Sequence, residues 1–390
     1  MKDIHTRQHV FCLGGLENTL AVARHARRCG ADTMYFDSIS TSAAFSRCVQ
    51  FVPLTSADEP EIFSCLKKAK GQIAEESPLI FFNSDPFVRF ALNHRKVLQK
   101  EFTFLLPSSK VIECALDKKR MVEIFPPHLL PIEYCVECSS DLSKLPLPVI
   151  VKPRDTSFGL PFKTKILETR QQAEDFAEHF GGMLEGFLFQ EIVSNKPGRL
   201  VSIFFYRRTD RGFISVAIER ERMNPSWGGV GCLIKKTEFL HTGMLEEALK
   251  MIGYEGLGEI DVFETENSMI MFDLNVRLPG WAFFAETCGV DLLGMYLDDM
   301  SNGTLRSSRR REPCRASVIK ALDILNDAEA VFHPRKGLIA NGKLTVGQYL
   351  KSLKGVRGAY LIDFQDIGPF FHKFYDELRT FLCKKRKCDG

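Results

Sequence analysis

The opening segment of the sequence constrains the fold more than any other. The apolar run HVFCL at 9–13 leads into Gly14-Gly15, and a helical pattern of apolar residues then continues to Gly30. The next segment, ADTMYFD, reads as a second strand that ends at Asp37. A strand, a glycine turn, a helix and another strand make a βαβ unit, which requires a parallel sheet covered by helices. The sequence therefore predicts an α/β domain at the start of the chain.

The turn after the first strand bears on the ligand of this domain. A dinucleotide-binding turn carries the pattern G-x-G-x-x-G, whereas this turn reads GGLENT and lacks the later glycines. Further along, PLIFFNSD at 78–85 predicts another buried strand that ends in Asn83-Ser84-Asp85. These polar residues either face a small substrate at the carboxyl edge of the sheet or cap the next helix. We do not expect a dinucleotide here.

The charge balance argues against a nucleic-acid-binding protein. The 390 residues carry 52 Lys and Arg against 49 Asp and Glu, a net charge of +3. This length predicts two or three domains, and a hydrophobic fraction of 45% is typical of globular chains. No apolar run approaches the ~20 residues that span a bilayer. The polar start MKDIHTRQHV lacks the features of a signal peptide, so we expect a cytoplasmic protein without a membrane span.

The twelve cysteines fit a reducing compartment better than a disulfide framework. Cys135 and Cys138 have the spacing of a zinc or redox pair, but no second pair with that spacing accompanies them. We interpret them as ordinary thiols, with zinc or redox use as the alternative.

Two short basic runs stand out in the last third of the chain. Arg309-Arg310-Arg311 and Lys384-Lys385-Arg386-Lys387 each place consecutive like charges side by side. A solvated linker and tail is one interpretation, and contact with an anionic partner or carrier is the other.

The composition changes beyond residue 103. Prolines become frequent up to residue 148, which predicts a domain boundary in this stretch. Farther on, VSIFFYRR at 201–208 and GFISVAIER at 212–220 predict antiparallel strands joined by a tight turn. We therefore expect α+β structure in the second part of the chain.

Four segments of this second part carry the residues with the most chemical character. They are PVIVKP at 148–153, FLFQEIV at 187–193, GEIDVF at 258–263 and MIMFDLNVRLPGW at 269–281. The first predicts a strand that ends near Lys152, and a turn of small residues follows it. A lysine at a strand end beside such a turn is well placed to meet a polyphosphate.

The last of these segments places polar side chains on one face of an apolar strand. Asp273, Asn275 and Arg277 follow the two-residue period of a strand. With Asp261 on a neighbouring strand, they supply two carboxylates and an amide oxygen, which are hard ligands suited to Mg²⁺, and a guanidinium for a phosphoryl or carboxylate oxygen. The alternative is a surface strand with a single Asp–Arg pair. Spacing alone does not separate the two.

The order of the motifs resembles that of the ATP-grasp superfamily, and within it the carboxylate–amine ligases of the D-aspartate-ligase-like and carbamoyl-phosphate-synthase types. The likeness runs through Asp117-Lys118, PVIVKP, QEIV, GEIDVF, FDLNVRLPG and CGVDLLGMYLDDMSNG, and is strongest over 116–303. It implies a Rossmann-like pre-ATP-grasp domain over 1–115, followed by an ATP-grasp domain of two α+β subdomains, 116–190 and 191–304. Residues 305–390 are expected to pack back on the catalytic domain.

The resemblance also implies roles for individual residues. Those that match nucleotide-binding positions are Lys118, Lys152, Ser157, Gly159, Gln190, Glu191, Ile192, Val193 and Arg220, with Arg222 as the alternative to Arg220. Asp261, Asp273 and Asn275 match the ligands of two Mg²⁺ ions, with Mn²⁺ as an alternative. Arg277 matches the arginine that steadies the transferring phosphoryl group, and we expect it to be catalytic together with Lys152.

Three positions depart from the family pattern. Asp273 stands where relatives more often have Glu, which shortens the reach to a metal by one methylene. The phosphate loop has a single glycine, Gly159, where relatives often have several. Glu259 occupies a position where D-alanine–D-alanine-type ligases carry a catalytic arginine, which argues against that substrate group.

The resemblance implies an ATP-dependent ligase acting on small, amino-acid-like molecules. Such an enzyme activates a carboxylate as an acyl phosphate, couples it to an amine, and releases ADP and phosphate. Acyl phosphates hydrolyse in water, so we expect a loop over 155–163 to close the site. A homodimer is expected from the family. An ATP-grasp phosphotransferase and a non-catalytic ATP-binding regulatory protein are the alternatives.

Overall fold

The computed structural model describes residues 8–56, 58–155, 162, 164–193, 197–224, 230–305 and 316–388, with side chains described up to residue 379. The chain divides into two compact units, one formed by Met1–Leu105 with Arg277–Gly390 and the other by Leu106–Val276. The division after Leu105 falls in the proline-containing stretch where the sequence predicts a boundary. The finer division at 115, 190 and 304 stays a prediction.

The first unit begins with the predicted βαβ arrangement. Its strands are β1 (His9–Leu13), β2 (Asp32–Asp37), β3 (Val49–Pro53) and β4 (Leu79–Phe82), which pair in parallel in the order β3-β2-β1-β4. Its helices are α1 (Glu17–Arg28), α2 (Glu59–Lys70) and α3 (Asp85–Leu98), with a 3₁₀-helix at Ser42–Phe45. Gly14 and Gly15 adopt φ values of 67° and 81°, which lets the chain turn sharply from β1 into α1.

The second unit starts with a small antiparallel sheet on a phenylalanine-rich core. Its helices are α4 (Ser109–Leu116), α5 (Ser139–Leu142) and α6 (Arg170–Phe180), with 3₁₀-helices at Lys118–Glu123, Pro127–Leu129 and Gly181–Gly186. The strands β5 (Glu133–Tyr134), β6 (Val149–Pro153), β7 (Lys165–Leu167) and β8 (Phe187–Glu191) are ordered β5-β8-β6-β7. Phe176 and Phe180 of α6 pack on Phe187 of β8, which fixes the helix on the sheet.

A larger set of antiparallel strands follows in the same unit. These are β9 (Arg199–Arg208), β10 (Gly212–Asn224), β11 (Val230–Thr237), β12 (Gly256–Glu264) and β13 (Met269–Asn275), with α7 (Thr242–Met251) between β11 and β12. Their order is β13-β12-β9-β10-β11, and β9 with β10 forms the predicted hairpin. Every residue of β12 is buried, so its polar side chains need partners.

The last segment returns to the first unit. It contains α8 (Ala282–Thr287), α9 (Leu292–Met300), β14 (Lys320–Leu322), α10 (Ile324–Phe332), α11 (Val346–Ser352), β15 (Val356–Ala359) and α12 (Gly368–Cys388). Strands β14 and β15 pair in parallel, and α12 packs against the 3₁₀-helix at Ser42–Phe45. Arg24 of α1 donates to Asp366 at 2.9 Å just before α12 begins. Among the described residues, no helix combines the length and apolarity needed to cross a bilayer.

Candidate active site

The centre of the candidate site is the pair of strands β12 and β13. Across this pair Asp261 lies opposite Asp273, and Glu259 lies opposite Asn275. Since side chains alternate between the two faces of a strand, these four side chains share one face. The prediction that Asp273 and Asn275 share a face with Asp261 beside them is confirmed.

Arg277 is not part of this strand face, although its spacing in the sequence predicted that it would be. Strand β13 ends at Asn275, two residues earlier, and Arg277 lies in the first unit. Its Nε donates to Asp85 Oδ1 at 2.7 Å, at the start of α3. The predicted alternation over Asp273, Asn275 and Arg277 is therefore wrong at its last member, because the chain leaves the ladder with β12 after Asn275 and the two-residue period applies only within a strand.

Asp261 is held by a network of donors on the neighbouring strands. It is 7% exposed and lies opposite Ser202 of β9, whose hydroxyl donates to it. Nη2 of Arg220, from β10, approaches the two carboxylate oxygens at 2.7 and 2.8 Å and Ser202 Oγ at 2.7 Å. These donors fix the orientation of the Asp261 carboxylate on its face of β12.

Asp273 forms an ion pair with the first predicted phosphate-binding lysine. The ammonium group of Lys118 contacts Asp273 Oδ1, and both side chains are largely buried. Lys118 begins the 3₁₀-helix after α4, and its backbone N–H donates to the carbonyl of Arg154 at 3.1 Å. The structure therefore brings together residues that are remote in the sequence, as the motif order implied.

The second predicted lysine, Lys152, lies near the same carboxylates. Its Nζ lies 4.9 Å from the ring centroid of Phe272, a residue of β13 where the register with β12 shifts. Desolvation, and then the nearby charge of Lys118, lower the pKa of Lys152 to about 8, while Asp273 and Asp261 oppose the shift. Lys152 therefore has a desolvated ammonium beside a carboxylate cluster.

An ion pair that the motif comparison did not predict joins the two lysine segments. Arg154 Nη2 donates to Asp117 Oδ2 at 2.6 Å, and its Nε to Oδ1 at 3.2 Å. Asp117 precedes Lys118, and Arg154 follows Lys152 by two residues. This bidentate pair fixes the end of β6 against the start of the 3₁₀-helix. The signal available in the sequence was the position of the acid next to Lys118 and of the arginine two residues after Lys152.

The predicted adenine-binding segment leaves the end of β8. Gln190 is buried, and the backbone of Glu191 donates to the Ile132 carbonyl at 3.0 Å. The Glu191 carboxylate accepts from the Ile132 N–H at 3.1 Å, and Ile192 and Val193 follow outside the strand. The chain therefore leaves the β ladder after Glu191.

Two predicted residues, Ser157 and Gly159, lie outside the described residues, as does most of the expected closing loop at 155–163. Ser202 is a residue that sequence reasoning missed. It is the single small polar residue in the buried run VSIFFY at 201–206, and that isolation was the available signal.

The donors near β13 fit a hard divalent cation. Asp261 and Asp273 supply carboxylate oxygens, and Asn275 donates through Nδ2 to Glu259 Oε2 at 3.3 Å, which leaves its amide oxygen as an acceptor. Within the described ranges, no cluster of three or more His, Cys, Asp or Glu side chains has the arrangement of a metal site. The set suits Mg²⁺, which takes few protein ligands and completes its shell with water and phosphate oxygens.

The sequence matches no protein-family model and no curated protein. Solved structures share its fold. The L-amino acid ligase of Bacillus licheniformis superimposes with a TM-score of 0.59 at 13% identity over 76% of each chain. N5-carboxyaminoimidazole synthetase of Staphylococcus aureus, complexed with ADP, gives 0.60 at 13% identity over 85% of this chain and 86% of that one.

A third neighbour is the biotin carboxylase domain of the Hydrogenobacter thermophilus 2-oxoglutarate carboxylase, in complex with MgADP, ADP and bicarbonate. Its TM-score is 0.57 at 15% identity, over 80% of this chain and 72% of that one. The predicted combination of α/β and α+β structure is confirmed, and this chain has the ATP-grasp fold that the order of its motifs indicated.

Proposed function

We propose that this protein is an ATP-dependent ligase that activates a carboxylate as an acyl phosphate and couples it to an amine, with release of ADP and phosphate. The observation that carries the proposal is the in-register pair of Asp261 and Asp273, with Lys118, Lys152 and Arg220 beside it. Two carboxylates with cationic side chains beside them are suited to binding a phosphate chain together with its metal ion.

Charge explains why this reaction needs such a cluster. The donor carboxylate must attack the γ-phosphate of ATP, and both groups are negative. Two unit charges 4 Å apart repel by about 1 kcal/mol in water and about 4 kcal/mol at an effective dielectric constant of about 20. Lys118 and Lys152 lie among largely buried groups, where a positive charge offsets this repulsion most effectively.

The side chains themselves supply little net positive charge. Lys118 contacts Asp273, and Arg220 binds Asp261, so each of these cations already faces a carboxylate. A bound Mg²⁺, held by the oxygens of Asp261, Asp273 and Asn275, would supply the missing positive charge for the phosphates. Two such ions, with Mn²⁺ as a replacement, are part of the proposal.

The proposed nucleotide contacts extend beyond the metal pair. Gln190, Glu191, Ile192 and Val193 would hold the adenine, because the chain leaves β8 there. Ser157 and Gly159 would bind phosphate oxygens, a role that rests on the family resemblance alone. Arg277, oriented by Asp85, is proposed to steady the transferring phosphoryl group.

The proposed substrates are small acids and amines of amino-acid type. The likeness to an L-amino acid ligase supports this class. Because another structure with this fold is a biotin carboxylase domain in complex with bicarbonate, bicarbonate belongs among the donor acids to be tested. The family resemblance further leads us to propose a cytoplasmic homodimer, and a mass of twice 44.3 kDa in light scattering is the expected result.

The test is release of ADP and phosphate from MgATP, with pooled amino acids, other carboxylic acids and bicarbonate as donors, and pooled amines as acceptors. We expect release that requires both an acid and an amine. Asp273→Ala should abolish it and leave the fold intact, because the side chain is 27% exposed and lies outside the apolar core. Asp210→Ala, which removes an exposed carboxylate paired with Arg208, is the matched control.

The other outcomes separate the alternatives. ADP without free phosphate would identify a phosphotransferase, which transfers the phosphoryl group to an acceptor and stops. Nucleotide-dependent thermal stabilisation without turnover on any donor would identify a binding protein. Undiminished turnover of Asp273→Ala would refute the assignment of the site.

A further inference from the structure

Helix α12 turns an apolar face towards solvent. Phe371 and Tyr375, one helical turn apart, are 60% and 63% exposed. Phe374 and Leu378 are nearly half exposed and lie on the same face, since the four positions follow the i, i+3, i+4, i+7 spacing of one helical stripe. Four large apolar side chains on one exposed stripe form a patch of the kind that marks an interaction site.

Polar and aromatic contacts on the other side of α12 fix its orientation. The ring of His372 stacks on Phe45 with centroids 3.6 Å apart. The ammonium of Lys373 lies 3.6 Å from Asp323 and 3.9 Å from Glu17. The helix is therefore held by its polar side, and rotation that buried the aromatic stripe would break these contacts. The exposure of the stripe follows from the fold.

The sequence continues the same pattern along the helix. Phe381 and Leu382 occupy the next two positions of the i, i+3, i+4 series, and Lys384-Lys385-Arg386-Lys387 follows them. The helical backbone extends through this run to Cys388. One helix thus combines an aromatic stripe with a full turn of consecutive basic residues.

We propose that α12 docks the protein on an anionic lipid surface. An amphipathic helix with Phe, Tyr and Leu on one face lies in the plane of the bilayer, with those side chains at the boundary between headgroups and acyl chains. Clustered Lys and Arg add attraction to anionic headgroups. The aromatic stripe and the run 384–387 provide both parts of this interaction on one element. The helix lies on the membrane and does not cross it.

A second copy of the chain fits the aromatic stripe of α12 less well than an anionic lipid surface does, because the basic run finds no opposite charge on it. Two parallel copies of α12 would place their basic runs side by side. In an antiparallel pair, the basic run of one helix would approach the first turn of the other, which Asp366 precedes. Asp366 is buried and already bonded to Arg24, Ser46 and the backbone of Arg47, so it offers no free charge to a partner.

The test uses the full chain and sedimentation with sucrose-loaded vesicles. One set contains seven parts phosphatidylcholine to three parts phosphatidylserine, and the other contains phosphatidylcholine alone. We expect binding to the anionic set, release at high salt, and little binding to the neutral set. The double variant Phe371→Ser with Tyr375→Ser should lower the partition coefficient by about tenfold or more. The fourfold variant Lys384→Gln, Lys385→Gln, Arg386→Gln and Lys387→Gln should lower it by a similar factor.

The matched control is Val346→Ser with Leu350→Ser. These residues are also exposed, also one turn apart, and lie on α11 of the same unit. We expect the control to bind anionic vesicles as the unaltered protein does. All variants should have the same thermal unfolding midpoint as the unaltered protein. An equal loss in the control would overturn the proposal, as would equal binding to neutral vesicles or no binding at all. A dimer that dissociates in the α12 variants, without lipid binding, would assign the surface to a second copy.

Discussion

The Arg220–Asp261 pair allows the physical basis of the candidate site to be tested by one substitution. Arg220→Met removes the guanidinium but keeps much of the side-chain length. It leaves Asp261, 7% exposed, with the Ser202 hydroxyl as its remaining described hydrogen-bond donor. A buried carboxylate that loses its cation loses stability, because the folded state can no longer compensate the cost of desolvating the charge.

The expected magnitude follows from the burial of the two partners. Removing one partner of a fully buried ion pair costs about 3–5 kcal/mol. The side chains of Arg220 and Asp261 are 23% and 10% exposed, so water reaches part of the pair. Since the Ser202 bond also remains, we expect a loss of about 2 kcal/mol in the free energy of unfolding. In a unit the size of Leu106–Val276, that loss lowers the melting temperature by roughly 4–8 °C.

The assay is thermal unfolding of Arg220→Met, Asp261→Asn and the double variant, with the unaltered chain as reference. Because Asn removes the uncompensated charge, the double variant should be more stable than Arg220→Met, with a coupling energy of about 2 kcal/mol. Arg208→Met is the control, since its partner Asp210 is 60% exposed and such surface pairs contribute at most about 1 kcal/mol. A loss in Arg220→Met no larger than in this control, or strict additivity in the double variant, would refute the reasoning.

Three further predictions concern the proposed nucleotide site. Because the pKa of Lys152 is lowered to about 8, its ammonium loses charge as pH rises through that value, so kcat/KM for ATP should fall above about pH 8. Lys152→Arg should lack this fall, and an identical pH profile in the variant would contradict the assignment. Asp117→Asn weakens the bidentate pair with Arg154 that aligns the segments of Lys118 and Lys152, so a titration with ATP should show weaker binding with little change in the melting temperature. Unchanged ATP affinity would argue against a positioning role for Asp117. Asn275→Ala removes a proposed oxygen ligand, so the Mg²⁺ concentration for half-maximal ADP release should rise about tenfold or more, and an unchanged requirement would exclude it as a ligand.

Much of the secondary structure could be predicted because local patterns determine it. The apolar runs that end at Leu13 and Phe82 form buried parallel strands, and the hairpin of β9 and β10 follows from its turn at 209–212. The period of two placed Asp273 and Asn275 on one face. It failed at Arg277, because strand length depends on where the ladder loses its partners, which a side-chain pattern does not report.

The sequence by itself determined the opening strand–helix–strand unit, the hairpin of β9 and β10, the ATP-grasp likeness and the types of side chain available for a phosphate site. Only the tertiary structure decided which of those side chains meet. Ser202 and Asp261 are 59 residues apart, and Lys118 and Asp273 are 155 apart. Contacts at such separations depend on strand register and on packing between distant segments, which no local periodicity encodes. The exposed stripe of α12 also depends on the tertiary structure. Residue spacing predicts an apolar face on the helix, whereas the contacts of Lys373 and His372 determine that this face points to solvent.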